Sequence, residues 1–145
     1  MKTKSDTKYN RVIFLNFRMN IQIMKLYCEL VVGEVLPALR ALITNELIQN
    51  FGMTQTEVAK RLGLTQPAIS QYRKYLRGER VRELEKNKKA MKIIRDFSDE
   101  IAGEKISAEN AVERILQISH MIVNERIIYD KEIIQHNIPC EICFK

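Results

Sequence analysis

Apolar residues along this 145-residue chain recur mostly three and four positions apart, the period of helices that bury one face. Leu36, Leu39, Leu42, Ile43 and Leu47 predict a helix over 35–51, with Pro37 tolerable in its first turn and Gly52 at its end. Two short helices are expected at 55–62 and 66–76. A longer one over 80–102 carries Leu84, Met91, Ile94, Phe97 and Ile101 on one stripe. Gly103 breaks the chain. Ser107 then caps a last helix to about residue 126, apolar on Ala108, Ala111, Val112, Ile115, Ile118, Ile122 and Val123. Residues 127–138 read as a helix extension or a short strand, stopped by Pro139. With five glycines and three prolines the chain has few breakers, so the expected fold class is all-α.

The most informative window is 55–74, QTEVAKRLGLTQPAISQYRK. It reads as two short helices joined by a glycine turn, the outline of a DNA-reading helix-turn-helix. Ala59 is small enough for two helices to cross closely. Gly63 accepts the positive φ that such a helix end needs. Ile69 turns back into a core completed by Val58, Leu62 and Leu64. Thr54 and Thr65 are N-caps, and Pro67 falls in a first turn, where a missing N–H costs nothing. Ala68, Ile69 and Tyr72 are then expected to face inward. Gln66, Ser70 and Gln71 remain for base edges in a major groove. Gln55, Thr65, Arg73, Lys74 and Arg77 remain for phosphates or the flank. The bland alternative is an inert helical hairpin, but the small residue, the glycine, both caps and four apolar positions agree at once.

Charge sharpens this reading. The chain carries +6 overall. Residues 53–82 hold Lys60, Arg61, Arg73, Lys74, Arg77, Arg80 and Arg82 against Glu57 and Glu79, whereas residues 83–145 are slightly acidic. Positive charge is thus concentrated beside the motif, as phosphate neutralisation requires. A solvated basic face would not place it there.

The N-terminus is ambiguous. A basic MKTK start followed by VIFLNFRMNIQIM resembles a signal peptide, yet no small-residue cleavage site follows. Met24 reads better as the natural start, with residues 1–23 as a non-native extension. No run of 18 apolar residues is present, so no spanning helix is expected, and the expected setting is the cytoplasm. Three cysteines carry the remaining chemistry. Cys140 and Cys143 form a Cys-x-x-Cys, which lets two thiolates converge on one soft cation. Cys28 could supply a third thiolate and His136 a weaker fourth ligand, for zinc or an iron–sulfur cluster. A reversible disulfide or idle thiols are the rivals. His120, inside the last long helix, reads as a satisfied or surface histidine.

The segment from Cys28 to Gly78 resembles the archaeal predicted transcriptional regulators with a Xre-type (Cro/cI-like) helix-turn-helix. The likeness rests on VLPALRA at 35–41 and on Thr65-Gln66-Pro67-Ala68-Ile69-Ser70-Gln71-Tyr72. It covers about a third of the chain strongly, and the charged spacer ERVRELEKNKKAMK departs from it. The resemblance implies a lambda-repressor-like bundle for the domain over 24–79; the two-helix C-terminal arm over 80–127 and the tail over 128–145, read from the residues, fit the same family more loosely. Some relatives add a thiamine-phosphate-synthase-like domain, for which this chain is too short, so no enzyme activity carries over.

Together these observations imply a sequence-specific regulator that binds double-stranded DNA. The arm has little else to bury against than a second copy, so a homodimer is expected. The cysteines suggest a response to redox state or metal. An antitoxin-like or adaptor role, with protein as main partner, is the rival from another class. A small dithiol oxidoreductase is the one enzymatic candidate, and only Lys145 lies near Cys140 to lower a thiol pKa.

Overall fold

The computed structural model describes residues 27–128, with the side chains of Tyr27 and Cys28 left aside. Every regular element among the described residues is helical: α1 (Tyr27–Leu30), a π-wound turn (Val31–Val35), α2 (Leu36–Gln49), α3 (Gln55–Leu62), α4 (Gln66–Tyr75), α5 (Glu79–Lys86), α6 (Lys88–Ala102) and α7 (Ala108–Asn124). The expected His136, Cys140 and Cys143, the Met24 start and the element over 127–138 lie wholly or largely outside the described residues.

α2 is the axis of the molecule. Ala38, Leu39, Ala41, Leu42, Ile43, Thr44 and Leu47 are all buried, so its apolar surface runs around the helix rather than along one stripe. α4, α6, α5, α3 and α7 all pack against it. The helix expected over 35–51 is α2, with Val35 before it and Pro37 in its first turn. Helical winding precedes α2 without a gap, through α1 and the π-wound turn. Pro37 has no N–H to give to the Gly33 carbonyl four residues back, and its ring crowds that carbonyl. The backbone widens there by one residue, with the Leu36 N–H reaching Val31 O. This is the usual form of a π-bulge.

The single helix expected over 80–102 is corrected. It is two helices, α5 and α6, meeting at Asn87, whose extended backbone (φ −94°, ψ 106°) ends one and starts the other. The Asn87 side chain accepts from the Ala90 N–H at 3.0 Å, an N-cap inside a stretch that reads as continuous helix. The bend lets Val81 and Leu84 from α5, and Ile94, Phe97 and Ile101 from α6, enter one core with α2.

α7 begins at Ser107, whose Oγ accepts from the Asn110 N–H at 3.3 Å. Its second half is buried through Ile118, Ser119, Ile122 and Val123. Its first half is not: Val112 is 61% exposed and Leu116 36%. His120 is half-buried, and burial holds its imidazole below the usual pKa. One ion-pair node ties the ends of the described chain. The Arg80 Nε donates to Glu34 at 2.8 Å, and its Nη1 donates to Glu83 at 3.1 Å and to the Ile128 carbonyl at 3.1 Å.

Candidate nucleic-acid interface

The local order of residues 54–75 follows from hydrogen bonds that their own side chains supply. Thr54 Oγ1 accepts from the Glu57 N–H at 3.2 Å, and the Glu57 carboxylate accepts from the Thr54 N–H at 2.7 Å. This reciprocal pair is a capping box that satisfies two free donors at the start of α3. The same backbone hydrogen bond, seconded by the Thr54 hydroxyl, holds the Glu57 carboxyl below its ordinary pKa.

α3 ends on Gly63 in the left-handed region (φ 64°, ψ 32°). Two bonds close the turn: Gly63 N–H to Lys60 O at 3.3 Å and Leu64 N–H to Ala59 O at 2.8 Å, the paired bonds of a Schellman end. A Cβ on Gly63 would meet nothing within 4 Å. Conformation, not space, is what calls for glycine there. Ala59 and Ile69, at 5% and 0% exposure, lie in the core between the two helices.

Thr65 starts α4 from an extended backbone, and its Oγ1 accepts from the Ala68 N–H at 3.4 Å. Pro67 occupies the second position, free of any donor requirement. With Ile69 buried and Ala68 and Tyr72 half-buried, the opposite side of α4 is turned to solvent. Gln66, Ser70, Gln71, Arg73 and Lys74 are all exposed, as are Thr65 before the helix and Arg77 after it. By helical spacing Gln66, Ser70, Arg73 and Lys74 share one face, and Gln71 stands beside Pro67 at its edge. Gln55 is different: it is half-buried at the first position of α3.

The basic excess divides in the fold. Arg80 is half-buried in its ion-pair node, and Arg61 is paired with Glu104. Neither offers a free cation to a ligand of α4. Lys60, Arg73, Lys74 and Arg77 are exposed, and no ion pair among the described residues holds them. Arg82 was counted only toward the basic excess, yet its Nη2 donates to the Arg77 carbonyl at 3.1 Å and so supports the turn that follows α4. Its place in a run of charged residues gave no sign of that direction.

The cysteine site is not assembled within the described residues. Cys28 stands on α1, and Cys140, Cys143 and His136 lie outside. Among the described residues no cluster of three histidine, cysteine or acidic side chains could hold a metal ion. None of the helices there is long and apolar enough to cross a membrane.

Residues 45–86 match the helix-turn-helix family, in its Xre/Cro/cI type. The matched stretch takes in the last part of α2, all of α3 and α4, and α5 to its end. A match to this domain suggests DNA binding and transcriptional regulation. Neither a curated protein nor a solved structure matches the chain.

Proposed function

We propose that this chain is a sequence-specific, double-stranded DNA-binding transcription regulator that acts as a homodimer. The observation that carries the reading is the solvent-turned face of α4, where two amides, a hydroxyl and two cations project above a turn fixed by Gly63 and two threonine caps. Gln66, Ser70 and Gln71 read base edges, with glutamine able to make a bidentate contact to adenine. Gln55, Thr65, Arg73, Lys74 and Arg77 hold phosphates or the flank and set the register. Two copies would present two α4 helices to successive major grooves, so the preferred site is a near-palindrome. Selection from a random duplex library, followed by anisotropy titration at several salt concentrations, tests this. A near-palindromic motif bound far above random DNA supports the reading; salt-sensitive binding with no sequence preference refutes it.

A second reading concerns regulation, and the Arg80 node favours it. Arg80 joins Glu34, six residues after Cys28, to Ile128, twelve residues before Cys140. Twelve extended residues span up to about 40 Å, so chain length alone does not keep Cys140 and Cys143 from Cys28. Three thiolates there suit zinc or an iron–sulfur cluster, with His136 as a weaker candidate. Anaerobic purification with iron, zinc and sulfide assays checks it. Metal-free protein whose operator affinity ignores oxidation would end this reading and leave the first intact.

A further inference from the structure

Between the first half of α7 and the body of the molecule runs an apolar groove of about 620 Å³. Ile43, Phe97 and Ile101 reach it from α2 and α6, Leu62 from α3, and Ala111 and Ile115 from α7. Arg40 and Lys60 line it on the side of α2 and α3, and no ion pair among the described residues holds either of them. Beside the groove stands a ridge. Val112, which also lines the groove as its outer lip, and Leu116, one turn further along α7, are two of the four exposed large apolar side chains of the described residues. On the ridge's far flank, by helical spacing, lie Glu109 and Glu113, both exposed.

Setting aside Arg61 and Glu104, which also line the groove but are paired with each other, the lining and the helical spacing of α7 give the order cation, groove, ridge, acid. A two-fold rotation reverses that order. Laid on itself, the strip sets cation against acid and groove against ridge, twice over. Isologous interfaces require this kind of self-complementarity. A small apolar ligand would fill the groove but leave the exposed Val112–Leu116 ridge unexplained.

We infer that this strip is the seam of the homodimer: the Val112–Leu116 ridge of each copy enters the other's groove, and Glu109 and Glu113 meet the partner copy's Arg40 and Lys60. The inference rests on the homodimer reading and adds the surface that makes it. The seam adjoins Leu62 and the Gly63 turn, so it holds each reading unit directly.

Charge exchange in the 145-residue chain tests it. Glu109→Lys with Glu113→Lys sets like charges across the seam in one variant, and Arg40→Glu with Lys60→Glu does so in another. Each alone is expected to weaken self-association about tenfold or more by sedimentation equilibrium, since rim ion pairs contribute modestly but four are reversed together. Mixed one to one, the two variants should form a heterodimer close to wild-type strength, because every facing pair is then opposite in sign. Val112→Asp, which places a charge in the groove, should weaken self-association further while leaving helical circular dichroism unchanged. A wild-type dimer indifferent to all of these changes, or double variants that fail to rescue each other, overturns the seam and leaves the homodimer reading standing. A wild-type monomer at tens of micromolar removes both.

Discussion

Gly63→Ala isolates one contribution to the turn between α3 and α4. At φ 64°, ψ 32° an L-residue with a Cβ loses about 1–2 kcal/mol relative to its preferred backbone. No neighbouring atom lies within 4 Å of the added methyl, so steric crowding contributes nothing. Alanine also narrows the unfolded ensemble, which offsets about 0.4–1 kcal/mol. The net expectation is a loss of about 1 kcal/mol, or roughly 4–6 °C in melting temperature for a domain of about one hundred residues. Gly52 is an internal control, with φ 65° and an equally open surrounding. Gly52→Ala should therefore cost the same. Asn tolerates the left-handed region better than Ala, so Gly63→Asn should lose less. Urea unfolding followed by circular dichroism measures all three. DNA affinity well below the melting temperature should be unchanged, because the folded turn is the same. If Gly63→Ala proves neutral while Gly52→Ala does not, the left-handed turn is not what holds α3 to α4, and the backbone argument fails.

Other predictions follow from the same geometry. Gln66→Ala or Gln71→Ala should relax preference at one operator position by about 1–3 kcal/mol, whereas Lys74→Ala should weaken binding to all duplexes alike and lower the salt slope by about one; uniform loss in both would reverse the assignment of readers and anchors. The Glu57 carboxyl is held below its ordinary 4.5, so its contribution is present above that pH and fades as pH falls through the lowered folded-state value. Glu57→Gln, still able to cap, should flatten the stability-against-pH curve on its acid side; an unchanged acid slope would count against the capping box. Arg80→Ala should cost about 1–3 kcal/mol by leaving two half-buried carboxylates and a carbonyl without their shared donor. Arg80→Lys should recover only part of that, since an ammonium lacks the fork that reaches several acceptors, and full recovery would point to charge alone.

What the sequence disclosed was local. Thr54, Gly63, Thr65 and Ile69 each declare a cap, a turn or a buried contact within a few residues, and each sits in the structure as read. The misreadings came where a distant contact overrides a local habit. Pro37 is in the first turn of α2 as read, but the helical winding ahead of it, over Tyr27–Val35, gave no local signal. Asn87 interrupts a stripe whose seven-residue step from Leu84 to Met91 fits an unbroken helix, and only the need to wrap around α2 turns it into a corner. Arg80 counted toward the basic excess although its carboxylate partner Glu34 is 46 residues away, beyond any periodicity argument. The uncovered half of α7 was invisible for the same reason: Val112 and Ile118 look alike in sequence, and the neighbour that covers one and spares the other is encoded elsewhere.

That α2 is wrapped on every side has a consequence for modularity. The matched stretch begins at residue 45, so a graft of that stretch onto another protein would carry only the last few residues of the central rod. Ile69, Val81 and Leu84 would then lose most of the core that they share with α2. This reading head is not a detachable cartridge, and whatever tugs on its C-terminal helices pulls on the same spindle that carries the reader.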